Sequence, residues 1–155
     1  MPFEIWEDTR AQAIITAHAG HEGAMLPILH ALQAAFGLIP EAAIPLIAET
    51  LNLSHAEVHG VVTFYHDFRR ELPGRHVLKL CRAEACQAMG GDALGARARG
   101  KLGLDWGGTT ADGQVTLDAV FCLGLCATAP SAMIDGRLVG RLNEARLDAL
   151  LEQAQ

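Results

Sequence analysis

The chain has 155 residues, half of hydrophobic types, and 12 Lys and Arg against 18 Asp and Glu leave a net charge of −6. That is enough apolar material for one core or two small ones. The acidic balance and the lack of a basic aromatic patch argue against nucleic acid as a partner, and charges, prolines or polar residues cut every apolar run before about 18 residues, so no direct membrane insertion is expected.

The N-terminal stretch Met1 to Asp8 is acidic and lacks the basic segment of a secretory signal. Residues 9–18 predict a first helix, broken by Gly20-His21-Glu22-Gly23. A second helix is expected from Met25 to Ala35, with Pro27 tolerated in its first turn and Gly37 ending it. Leu26, Leu29, Leu32 and Phe36 form its predicted buried stripe. A third helix follows Pro40, with Ile44, Ile47 and Leu51 on one side. Ser54-His55-Ala56-Glu57 has the form of a capping box and opens a fourth helix to about Phe64, carrying Val58, Val61 and Val62.

Arg69 to Arg75 is charged and contains Pro73-Gly74, a turn signal. It divides an N-terminal helical domain, 1–70, from a second domain, 76–155. There the period changes. Val77 to Leu80 reads as a short buried strand, followed by a helix from about Gln87 to Leu102. Trp106–Thr110 and Gln114–Val120 predict a hairpin around Asp112-Gly113, and Ser131–Ile134 and Arg137–Gly140 a second around Asp135-Gly136. Asn143 is the expected N-cap of a last helix whose core face holds Leu147, Leu150 and Leu151. The fold class is therefore α+β.

All four cysteines lie in two segments: Cys81-x4-Cys86, then 35 residues, then Cys122-x3-Cys126. Both pairs are expected on loops, the first at the end of a strand. Two thiols per loop deliver ligands together at low entropic cost. Paired cysteines without a secretory signal favour a reducing compartment, the cytoplasm, and a metal over disulfides. Four thiolates serve zinc or an iron–sulfur cluster. Neither pair is the tight C-x2-C of a zinc knuckle, and wider loops fit around a wider group. Spacing alone leaves iron–sulfur, zinc, and disulfides or free thiols open, while dithiol C-x-x-C chemistry has no motif here.

The run Cys81-x4-Cys86 … Cys122-Leu123-Gly124-Leu125-Cys126-x3-Pro130 resembles the thioredoxin-like [2Fe–2S] ferredoxin subunits. These occur in complex I, in NAD-dependent formate dehydrogenase and in NAD-linked hydrogenases. The likeness extends from about Leu26 to the end, through Gly37-Leu38-Ile39-Pro40-Glu41-Ala42, Val61-Val62-Thr63-Phe64-Tyr65, Asp112-Gly113 and Gly136-x3-Gly140. It implies an N-terminal helical bundle before a thioredoxin-like α/β domain. It also implies a [2Fe–2S] cluster held by Cys81, Cys86, Cys122 and Cys126. The function implied is one-electron transfer to an FMN- and NADH-binding subunit. The wording of Cys81 to Gly91 looks like the formate dehydrogenase gamma subunit, whose further partner is a molybdenum- or tungsten-containing catalytic subunit with more iron–sulfur clusters. The complex I subunit and the equivalent chain of an NAD-reducing hydrogenase are the alternatives within the family. A zinc-stapled interaction module is the alternative from another class.

Gly124, between two expected ligands, is assigned close backbone approach to sulfur, whereas Gly90 and Gly91 read as turn and packing glycines. Arg82 adjoins a ligand but reads as an exposed arginine. His55 and His59, four apart on one helix, read as solvated or interface residues, since a closed site needs four ligands. No G-x-G-x-x-G follows a strand and no nucleophile–base pair is visible. The chain is thus expected to carry electrons and leave hydride chemistry to a partner.

Overall fold

The computed structural model describes residues 3–154; Met1 and Pro2, from the acidic N-terminal stretch, and Gln155 lie outside the described residues. The chain divides into two compact units, Met1–Leu72 and Pro73–Gln155. Among the described residues no helix is long and apolar enough to cross a membrane.

The first unit holds α1 (Asp8–His18), α2 (Met25–Phe36), α3 (Ala43–Leu51) and α4 (His55–Phe64). Its core gathers Ile14 and Ile15 of α1, Ile28, Leu29, Leu32 and Phe36 of α2, Ile47 of α3, and Val58 and Val62 of α4. The α2 stripe is turned slightly from the predicted one, with Ile28 buried and Leu26 half-buried. Ile28, Leu32 and Phe36 are four apart, so the buried face runs along their row rather than through Leu26. Gly37 caps α2 at φ +78° with its N–H on the Gln33 carbonyl at 2.8 Å, where a side chain would be strained.

Both halves of the capping box at α4 form. The Glu57 N–H donates to Ser54 Oγ at 3.2 Å, and the Ser54 N–H donates to the Glu57 carboxylate at 2.8 Å. Bonds donated by the Ser54 amide first and by its hydroxyl second hold the Glu57 carboxyl below its ordinary range. Ser54→Ala leaves an orphan amide at the helix start, and an expected loss of about 1 kcal/mol is read by thermal or denaturant unfolding of the first unit.

The charged segment after α4 is anchored near each end. The Arg69 N–H donates to Gln33 Oε1 at 2.7 Å within the first unit. In the second unit the Gly74 N–H donates to Thr116 Oγ1 at 2.7 Å. A Cβ at Gly74 would lie 3.0 Å from the backbone of residues 113–115.

The second unit is built on a five-stranded mixed sheet in the order β2-β3-β1-β4-β5. The strands are β1 (His76–Cys81), β2 (Gly108–Thr109), β3 (Val115–Val120), β4 (Ala132–Ile134) and β5 (Arg137–Val139). The predicted hairpins are present: β2 and β3 pair antiparallel, as do β4 and β5. Asp135 and Gly136, at φ +48° and +82°, make the tight turn between β4 and β5, where both central residues need positive φ.

Sequence reasoning expected one helix from Gln87 to Leu102. The chain instead forms α5 (Glu84–Ala88) and α6 (Gly91–Leu102). Gly90, at φ +89°, turns the backbone left-handed between them, which a continuous right-handed helix does not allow. A short 3-10 turn spans Cys126–Thr128, and α7 (Glu144–Gln153) starts at Asn143, whose side chain accepts the Arg146 N–H at 2.9 Å. Leu147, Leu150 and Leu151 of α7 pack with Leu78, Leu94, Val115, Leu117 and Ile134 in this unit's core.

Candidate metal centre

β1 lies in the sheet between β3, which runs parallel to it, and β4, which runs antiparallel. Parallel strands end at the same edge of a sheet. Cys81, the last residue of β1, is in register with Val120, the last of β3. Cys122 therefore follows two residues beyond Cys81's neighbour. β4 begins at this same edge, since Leu80 pairs with Ala132. Just before β4, the Ser131 carbonyl accepts the Cys81 N–H at 3.0 Å. Sheet pairing thus brings three segments distant in sequence, at Cys81, Cys122 and Ser131, to one edge. In sheets with parallel strands, ligands gather at such carboxyl ends.

The cysteines are unlike in surroundings. Cys81 and Cys86 are buried, and Cys122 and Cys126 are exposed. Cys86 does not lie on a loop, as the spacing led one to expect, but inside α5. A residue four or five beyond a strand end can turn back into the same place only if the chain coils, and α5 supplies that coil. A Cβ at Gly91 would meet the Cys86 carbonyl oxygen at 2.6 Å, so Gly91 is a packing glycine against α5.

The outer segment is held by backbone geometry. Cys122 has φ +145°, a region that non-glycine residues rarely occupy. Gly124, at φ +74°, points its N–H at Cys122 Sγ at 3.3 Å. The two outer sulfurs, Cys122 Sγ and Cys126 Sγ, are 3.9 Å apart. Hydrogen bonding with Cys122 and repulsion from its charge push the Cys126 thiol up, and the charges of Cys86 and Cys81 add to that. The Cys126 thiol thus feels the other three sulfurs.

The inner pair shows the same tension. Burial pushes the Cys81 thiol up; the Ala83 amide works against this, while hydrogen bonding with Cys86 adds to it. Burial would also raise Cys86, but hydrogen bonds from the Ser131 hydroxyl, from Cys81 and from the Ser131 amide bring it below the ordinary thiol range. Cys81 and Cys126 are pushed up while Cys86 is brought down, and thiols ringed by amide and hydroxyl donors fit a cationic centre that takes thiolates. Among the described residues no three Cys, His, Asp or Glu side chains crowd together as the ligands of a single ion would. Cys122 Sγ and Cys126 Sγ form one close pair, and Cys81 and Cys86 hydrogen-bond to each other as a second.

Of the other sequence candidates, Arg82 and Pro130 adjoin the site and the histidines lie in the first unit. Arg82 is not a free surface arginine: its guanidinium lies 5.1 Å from the Trp106 ring centroid and 3.6 Å from Asp92. Pro130 is buried, and its carbonyl accepts the Leu142 N–H at 2.9 Å, tying the exit of the outer segment to the chain before α7. His55 and His59 are exposed on α4 in the first unit, as is His66 beyond it. Sequence reasoning passed over Ser131. Nothing in the cysteine spacing marks it, and only the β1–β4 pairing sets it against the inner sulfurs.

The family model described as thioredoxin-like [2Fe-2S] ferredoxin matches residues 11–155. One subunit of the NADH-quinone oxidoreductase of Pseudomonas aeruginosa is 37% identical over 83% of this chain and 78% of its own length. The corresponding subunit of the same enzyme in Escherichia coli K12 is 33% identical over 97% of this chain and 93% of its own. The HndA subunit of the NADP-reducing hydrogenase of Solidesulfovibrio fructosivorans is 30% identical over 85% of this chain and 77% of its own. Among solved structures, an air-oxidized NAD+-reducing [NiFe]-hydrogenase superposes with a TM-score of 0.73 at 28% identity, over 84% of this chain and 22% of that one.

Proposed function

The chain belongs to the thioredoxin-like [2Fe–2S] ferredoxin family, and from that premise we propose that it is the electron-transfer subunit of a cytoplasmic, multisubunit NAD-linked oxidoreductase. A [2Fe–2S] cluster is the cofactor of the family. In this reading Cys81, Cys86, Cys122 and Cys126 hold it, in the domain of residues 76–155, one iron to each pair. Bound there, the cluster passes one electron at a time, while hydride chemistry needs a flavin.

The parallel pairing of β1 with β3 carries the reading, because it sets two cysteine segments at one sheet edge. The inner thiols are shielded from water by burial, and the exposed outer pair faces outward, where an electron can arrive from another chain. The partner in this reading binds FMN and NADH. The wording of Cys81 to Gly91 supports the gamma position of a formate dehydrogenase, with a molybdenum- or tungsten-containing subunit and further iron–sulfur clusters as second partner. The named relatives support a second assembly, that of NADH-quinone oxidoreductase.

The test begins with colour. The anaerobically purified chain is expected to be red-brown, with iron and sulfide in equal amounts and a paramagnetic signal on reduction; a colourless zinc protein overturns the reading. Alone, the chain is expected to stay oxidised in NADH or in formate. With its native partners present, the paramagnetic signal develops with NADH. Development with formate as well places the chain in a formate dehydrogenase, and development with NADH but not with formate overturns that assignment.

A further inference from the structure

We propose that the Ser131 hydroxyl sets the reduction potential of the bound centre by donating a hydrogen bond to the Cys86 thiolate. The proposal rests on the four-cysteine [2Fe–2S] reading above. Ser131 is 2% exposed, and its Oγ lies 3.5 Å from Cys86 Sγ, a buried contact across 45 positions of sequence. Its place is fixed from two sides. Its carbonyl accepts the Cys81 N–H at 3.0 Å, and the β1–β4 pairing begins at the next residue, Ala132. One residue outside the cysteine motif thus holds both inner ligands.

In the metal-free protein either partner of the Cys86–Ser131 contact could donate the proton. Metal ligation removes that freedom. A coordinating thiol is deprotonated, so the hydroxyl becomes the donor and sulfur the acceptor. An electron added to the centre increases the negative charge on its sulfurs. The bond is therefore stronger in the reduced state than in the oxidised one, and donors to sulfur raise the potential. Burial sharpens the effect, because water does not replace a donor removed there. Ser131 touches no metal position in this scheme; it is a positioning residue that acts through sulfur.

A merely structural Ser131, a buried hydroxyl satisfied by the nearest acceptor, makes a different prediction. Its removal would cost stability and leave the potential where it was. The experiment is an electron-paramagnetic titration of the purified full chain against potential, for the wild type and S131A, with iron content measured on each sample. The expected result for S131A is an intact cluster with its equilibrium constant for one-electron reduction lowered about threefold to tenfold, the range of one net hydrogen bond. At 59 mV per decade this is about 30 to 60 mV toward more negative potential. S131T and S131V repeat the comparison at equal volume, with the valine variant the more negative. Equal potentials within either pair overturn the proposal. A wild-type chain with no paramagnetic signal and no iron would instead overturn the cluster reading itself.

Discussion

Cys122→Ser is expected to abolish most of the visible absorption and to bring iron well below the two atoms per chain of a full cluster. Serine offers a hard oxygen whose proton is far more tightly held than that of a thiol. Four-thiolate sites have no spare ligand, and nothing in the outer segment replaces the sulfur. The same outcome is expected for Cys81→Ser, Cys86→Ser and Cys126→Ser, but with different companions. The inner thiols are buried beside β1 and α5, so their variants should also lower the unfolding midpoint of the second unit. The outer thiols are exposed, and their loss acts mainly through the missing metal. Iron assay, the visible spectrum and denaturant unfolding separate these effects. A full, unaltered spectrum from any of the four variants refutes its ligand role.

Leu78→Ala is expected to destabilise the second unit by about 2–5 kcal/mol, the usual range for a leucine cavity. Leu78 is fully buried in the middle of β1, in register with Leu117 on β3 and Ile134 on β4. It therefore supports both neighbours of the strand that carries Cys81. Domains hold only about 5–15 kcal/mol in all, so this single change removes a large share. Trp106, whose ring sits against Gly95 of α6, provides a fluorescence reporter within this unit. Leu138→Ala on β5, 50% exposed, is the control, with an expected change within about 0.5 kcal/mol. Matching losses for the two would mean that β1 is not the centre of the core.

The features legible in sequence were those with local causes. The Ser54–Glu57 box, the Asn143 cap, the Gly37 stop and the Asp135-Gly136 turn each depend on a few consecutive residues, and each forms. The site was legible as four cysteines in two pairs, because residue type and spacing carry the chemistry of thiolate ligation. Its surroundings were not. Whether β1 pairs with β3 or another strand depends on which apolar faces fit across a long crossover, and no local pattern states this. The helical position of Cys86 was hidden because α5 is only 5 residues long, too short to show a period. The role of Arg82 was misjudged because Trp106, its stacking partner, is far along the chain. Ser131 was invisible for the same reason.

The union of Cys81 and Cys122 by β1–β3 pairing also sets an order for manufacture. Thirty-five residues separate the inner pair from the outer. At synthesis rates of roughly 5–20 residues per second, the inner thiols are made about 2–7 s before their partners. During that interval the nascent chain presents two neighbouring thiols and no cage. Iron delivered then would find half a site, and oxidants or stray zinc would meet unguarded sulfur. A site that needs both pairs is complete only once β3 has docked on β1.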